Sequence, residues 1–201
     1  MAISDLTHYR IICRNARLHG GRTAWYEAET GRSVTFAEFR TMTDNLATAL
    51  RDSAIGRGDR IGVLAKNSLE FFLLYGAAAA IGAVVLPVNW RLSAGEVAFN
   101  LRDGEAKILF ADREFEETIG RVRAELPSLR HLFSLSSAGA GMQAFPDLSG
   151  GNRLSAAESR KRLIKPIRHP SEGIELTRLI PIHDPFAFKD GLQLTDEFRK
   201  A

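Results

Sequence analysis

Arg91 closes the triplet Asn89-Trp90-Arg91. The triplet directly follows the apolar run Ala83-Val84-Val85-Leu86-Pro87-Val88 and comes just before a helix-start signal at Ser93. A guanidinium placed there has one specific use. Its planar fork of donors matches carboxylate and phosphate oxygens, so it can hold an anion where a strand runs out into a loop. It also has a plainer use, as a loop arginine that pairs with an acid or lays its stem on apolar surface. The residues alone leave both open.

The other groups able to do chemistry point less far. Gly139-Ala140-Gly141-Met142-Gln143-Ala144 has the spacing of a dinucleotide-binding turn. Such a turn needs a following helix to aim its amides at a pyrophosphate, and Pro146, Gly150 and Gly151 forbid one, so the segment reads as linker. Asp112, Glu114, Glu116 and Glu117 gather near a predicted helix start, where the macrodipole favours acids without any catalytic role. His8, His19, His131, His169 and His183 show no metal-ligand spacing, and one cysteine, Cys13, completes neither a metal site nor an internal disulfide. Cys13 falls on the apolar side of a predicted helix and reads as a small buried hydrophobe, suited to a reducing cytosol. No phosphate loop of the Walker type and no Gly-x-Ser-x-Gly elbow occurs. These patterns name no catalytic residue and no metal site.

The elements that must position Arg91 are legible in the hydrophobic pattern. Leu6, Tyr9, Ile12, Cys13 and Ala16 recur at helical spacing, and Gly20-Gly21 stop that helix. Residues 23–29 and 33–36 flank a turn at Thr30-Gly31 and predict a β-hairpin. Thr35 with Glu38 has the form of a capping box, and Phe36, Phe39, Thr43, Leu46 and Leu50 follow as one helical face. The chain then alternates. Strands are predicted over 60–65, 83–88, 107–112 and 131–135. Helices are predicted from Asn67 or Ser68 to Ile81, from a second capping box at Ser93 and Glu96 to Gly104, and over 113–126 with Phe115, Ile119 and Val122 inward. That alternation implies an α/β fold, a mostly parallel sheet with helices on both faces, preceded by a helix and a hairpin. Ligands gather at the carboxyl ends of the strands in such sheets, which is where Arg91 falls.

Residues 71–88 carry no charge and approach the length of a membrane span. Gly76, Gly82 and Pro87 interrupt the run, which divides at Gly82 into a buried helix and a buried strand, so no membrane span is expected. Net charge is +3, yet residues 1–150 are neutral and the whole excess lies in 151–201. That tail holds the basic run Arg160–Arg168 and four of the seven prolines. Without interleaved aromatics the run reads as solvated, and no nucleic acid partner is expected. The expected organisation is a folded unit over 1–148 and a divergent, Pro-rich, basic and poorly ordered tail over 149–201.

Four stretches occur in an order that resembles one family. They are the Thr-x-x-Glu helix start at Thr35, "GDRIGVLAKNSLEFF", "GAVVLPVNWRLSAGEVAFNLRD" and "AKILFAD". Together they resemble the N-terminal part of AMP-forming acyl-CoA synthetases, members of the adenylate-forming superfamily. The resemblance covers residues 5–148 and implies an incomplete N-terminal domain of that fold. The family's reaction joins a carboxylic acid to ATP, giving an acyl-adenylate and pyrophosphate. A thiol, usually that of coenzyme A, then displaces AMP. Family cofactors are ATP, Mg²⁺ and coenzyme A. The resemblance implies a Ser/Thr/Gly-rich loop ending in Lys shortly after residue 160, a Tyr-Gly-x-Thr-Glu adenine motif, a ribose-binding Asp and a later catalytic Lys, and these residues include none of them.

The expectation is therefore a chain truncated before the ATP-binding loop. It would be inactive and without cofactor alone, and its expected partner is a second chain that completes the synthetase, or another copy of itself. The alternative is a non-catalytic interaction protein built on the same fold. Asn89-Trp90-Arg91 matches the family's Asn-x-Arg, whose arginine lies near the nucleotide phosphates of coenzyme A in some members. Arg91 is by that resemblance a peripheral coenzyme A phosphate contact.

Overall fold

The computed structural model describes residues 7–135 and 141–146, all within the first of two units, Met1–Ile164. The expected tail over 149–201 and its boundary lie outside the described residues.

Helix α1 (His8–His19) begins where the Thr7 side chain accepts the Arg10 amide at 3.3 Å. It buries Tyr9 and Ile12, while Cys13 is only partly buried, at the margin of the core and not inside it as its helical spacing suggests. Strands β1 (Thr23–Tyr26) and β2 (Ser33–Thr35) form the antiparallel hairpin. The first strand stops three residues short of the predicted end. There the Glu27 amide turns to the Arg32 carbonyl and the Glu27 carbonyl takes the Gly31 amide. Helix α2 (Phe36–Asp52) opens on the expected capping box, with the Glu38 carboxylate taking the Thr35 amide at 2.8 Å.

Four parallel strands follow: β3 (Arg60–Leu64), β4 (Val84–Pro87), β5 (Ile108–Ala111) and β6 (His131–Ser134), in the order β4-β3-β5-β6. Successive side chains on a strand point to opposite faces, and here each face has its own core. Ile61, Val63, Ile108 and Phe110 pack with Leu46 and Leu50 of α2 and with Leu73, Leu74 and Ile81 of α3 (Leu69–Ile81). Leu64, Leu109 and Ala111 pack on the other face, with Val97 and Leu101 of α4 (Ala94–Asp103) and Ile119 and Val122 of α5 (Glu116–Val122). Each large aliphatic side chain so buried contributes roughly 1.5–3 kcal/mol.

Four local features depart from expectation. Among the described residues strand β4 lies at the edge of the sheet and not inside it. Val84 is 42 % exposed, and Pro87, which has no N–H to offer a further strand, is tolerated there. Gly76 does not interrupt α3. A Cβ there would lie 2.7 Å from Ile12 Cδ1 and 2.9 Å from Thr43 Cγ2, so the glycine is what lets α1 and α2 close on α3. Gly82 does end α3, in the left-handed conformation at φ 76°. The predicted helix over 113–126 is divided into a 3₁₀ turn at Arg113–Phe115, α5, and a second 3₁₀ turn at Arg123–Glu125. The side chain of Asp112 makes no cap bond, because it is committed elsewhere. Finally, part of the expected linker extends the sheet. Gln143 bridges Phe133 in parallel, taking the Ser134 amide at 2.9 Å, and Met142 is buried.

Candidate functional site

The strand order dictates where a crevice forms. The chain leaves β3 for α3 on one face of the sheet and leaves the adjacent β5 for α5 on the other. Two neighbouring strands whose exits diverge make a topological switch point, the usual ligand position in open α/β sheets. Lys66 follows β3, Asn89-Trp90-Arg91 follows β4, and Asp112 and Glu114 follow β5.

These residues are joined. Asp112 accepts the Lys66 backbone amide at 2.8 Å. The Lys66 ammonium pairs with Glu114 at 2.8 Å and lies over the Trp90 ring, 5.2 Å from its centroid. The Arg91 guanidinium lies over the same ring, its Cζ 3.9 Å from the centroid. The turn that presents Arg91 is set by Asn89, whose side-chain oxygen takes the Arg91 amide at 3.0 Å while its carbonyl takes the Leu92 amide at 3.2 Å. An Asx turn of this kind explains why asparagine stands two residues ahead of the arginine.

Electrostatics separate the two cations. Lys66 has a carboxylate partner in Glu114. Arg91 is exposed, and among the described residues no carboxylate pairs with it. A guanidinium stacked on an indole keeps its edge donors for another ligand, because the ring occupies only its face. Burial pushes the Asp112 carboxyl above the ordinary range, and the neighbouring Glu114 charge adds to this against the Lys66 amide. The described residues give Arg91 an aromatic ring to lie on, which is one form of the plainer role, and no acid.

The acidic cluster is also more specific than a macrodipole account. Asp112 and Glu114 engage Lys66, Glu116 takes the Gly141 amide at 2.6 Å, and Glu117 pairs with Arg121. Sequence reasoning passed over Lys66 and Trp90. The signal was positional, since Lys66 is the first residue past the strand predicted over 60–65 and Asp112 the last of the strand predicted over 107–112. Among the described residues no group of three or more His, Cys, Asp or Glu is gathered as metal ligands, and no helix is long and apolar enough to cross a membrane.

A second polar cluster serves the scaffold. The Tyr9 hydroxyl donates to buried Asp44 at 2.6 Å, and Arg40 approaches the other Asp44 oxygen at 3.6 Å. Burial, reinforced by Asp44, drives the Tyr9 phenol far above its ordinary range.

The sequence model of AMP-binding enzymes matches residues 12–157. A long-chain-fatty-acid–CoA ligase of Mycobacterium tuberculosis is 35 % identical over 102 residues, 51 % of this chain and 20 % of its own length. A fatty acid–[acyl-carrier-protein] ligase of Streptomyces coeruleorubidus is 33 % identical over 97 residues, 48 % of this chain and 19 % of its own. A solved structure assigned as a long-chain-fatty-acid CoA ligase of Rhodopseudomonas palustris superposes with a TM-score of 0.70 at 30 % identity. It covers 77 % of this chain and 39 % of that one. The chain thus spans about a fifth of the length of the curated relatives it matches.

Proposed function

The chain belongs to the AMP-binding enzyme family, and on that footing we propose that it supplies the N-terminal part of an AMP-forming ligase joining a carboxylic acid to a thiol. The reaction proposed for the complete machinery is carboxylic acid plus ATP plus coenzyme A to acyl-CoA, AMP and pyrophosphate. The relatives named as CoA and acyl-carrier-protein ligases support this reading.

Within the reaction, Arg91 is a peripheral contact for the nucleotide phosphates of coenzyme A. The observation that carries this role is its stacking on Trp90, one strand from the β3–β5 switch point, without a carboxylate partner among the described residues. Adenylation itself requires positive charge and amides around a triphosphate, with a divalent cation to offset the developing charge. These 201 residues include no Ser/Thr/Gly-rich loop ending in Lys, so in this proposal they do not adenylate on their own. A second chain, or further sequence, completes the enzyme. The single cysteine suits a cytosolic setting.

ATP–pyrophosphate exchange on the folded chain, with a panel of fatty and aromatic acids, tests the first half: no exchange is expected. Exchange above background would mean that a phosphate site lies in the residues after 136. Titration with coenzyme A tests the second half, with Arg91→Ala expected to weaken binding about tenfold.

A second reading, a non-catalytic interaction protein of the same fold, draws on the exposed edge. Val84 of β4 is 42 % exposed and Phe99 of α4 57 % exposed. An apolar sheet edge invites pairing. Light scattering separates the readings: stable oligomers without any ligand favour the interaction role, and a monomer counts against it.

A further inference from the structure

Helix α1 turns an unmatched face outward. Its inner side is fixed, with Tyr9 donating to Asp44 at 2.6 Å and Ile12 packed where Gly76 leaves room for it. Its outer side carries Ile11 and Leu18, 40 % and 56 % exposed, with exposed Arg14 between them and exposed Arg17 beside Leu18. Positions i, i+3 and i+7 share one face of a helix, so Ile11, Arg14 and Leu18 form a ridge two turns, ~10.5 Å, long. Residues 8–22 hold four arginines and neither Asp nor Glu. Among the described residues no acid pairs with Arg14 or Arg17.

We propose that this ridge docks an acidic amphipathic helix of a partner protein. Ile11 and Leu18 stand one heptad apart, the spacing at which a second helix repeats its apolar seam. Acids flanking that seam meet Arg14 and Arg17, which set register and choice of partner as flanking charges do in paired helices. Because α2 and α3 already hold α1 in place, docking has only side chains to order. Two other occupants fit less well. A second copy of α1 brings arginine against arginine, with no acid on either ridge to offset the repulsion. An anionic lipid surface suits the charge, but an interfacial helix inserts a broad apolar face, and here an arginine separates two isolated aliphatic side chains. The inference does not draw on the role proposed for Arg91.

The probe is a labelled synthetic helix with Leu at the a and d positions and Glu at e and g. A second helix carries Lys in place of Glu. Binding of each to the full chain is read by fluorescence anisotropy. The acidic helix is expected to bind about tenfold more tightly than the basic one, and the difference should shrink as salt is raised. Arg14→Glu combined with Arg17→Glu is expected to reverse the preference, a gain for the basic helix that damage to the fold does not produce. Leu18→Ala is expected to weaken the acidic helix without changing which helix is preferred. Arg121→Gln, on α5 at the other face of the sheet, should change neither. Cosedimentation with phosphatidylglycerol vesicles separates a lipid surface from a protein. If the chain binds vesicles through Arg14 and Arg17 and takes up neither helix, the occupant is a membrane and the proposal fails. Equal binding of the two helices, no binding of either, or an unchanged preference in the charge-reversed variant overturns it as well.

Discussion

The side chain of Asp112 accepts the backbone amide of Lys66 at 2.8 Å, so one carboxylate fastens the exits of two neighbouring parallel strands, β3 and β5. The strands themselves are in register up to that point, with Leu64 opposite Ala111. Beyond it the chain diverges to opposite faces of the sheet, and the Asp112–Lys66 bond and the Lys66–Glu114 pair span the gap.

Asp112 is held above the ordinary carboxylate range, chiefly by burial. The stabilising contribution of a raised carboxyl is fully present below its unfolded value and is lost as pH rises through its folded value. Asn keeps an oxygen for the Lys66 amide and carries no charge. Asp112→Asn should therefore melt at or above the wild-type temperature near pH 7 and lose any advantage near pH 3. Thermal unfolding at the two pH values checks this, and a variant clearly less stable near pH 7 contradicts it.

Asp59 behaves in the opposite sense. Burial works to raise its value, but the Lys107 ammonium at 2.5 Å and the Gly56 amide at 3.0 Å outweigh that, and the net shift is downward. Its contribution is present above the unfolded carboxylate value and disappears as pH falls through the lower folded value. Asp59→Ala should cost about 1–3 kcal/mol near neutrality and nothing in strong acid. Urea melts across acid pH would show the two curves converging.

Tyr9→Phe removes the hydroxyl that donates to buried Asp44 across 35 residues of sequence. A loss of about 1–3 kcal/mol is expected, since the acceptor is charged and out of water. Spectrophotometric titration of the wild type offers an independent check. The Tyr9 phenolate should appear only as the chain unfolds in alkali, because burial and Asp44 both oppose its ionisation.

Gly76→Ala sets local preference against packing. Helix propensity alone favours alanine by about 1 kcal/mol. The added Cβ would meet Ile12 and Thr43 at under 3.0 Å between three packed helices. Packing should win, with a net loss of about 1–3 kcal/mol in chemical unfolding. A stabilised variant would show that the helices part more readily than their close approach suggests.

Much of this architecture was readable before any coordinates, because period and caps are local. Thr35–Glu38 and Ser93–Glu96 cap as their spacing requires, and the switch in period from helix to strand at Gly82 is real. Strand order is not local. Nothing in Val84–Pro87 itself says that β4 lies at an edge; that follows from β5 crossing to the far side of β3. The split at 113–126 escaped the pattern for a similar reason, since it turns on Asp112 engaging a loop 46 residues away. Arg91 was legible as a position, while its setting was not. Lys66 reaches Trp90, and Glu114 reaches Lys66, only through the tertiary fold.

The placement of β3 between β4 and β5 has a further consequence for how the protein is made. The first strand of this sheet to leave the ribosome is an interior one. It gains one neighbour when β4 emerges and must wait for Ala111 to gain the other. During that interval the edge of β3 that will receive β5 stands open on a nascent chain. Synthesis of the α4 segment therefore sets a window in which a holding chaperone has the most to protect.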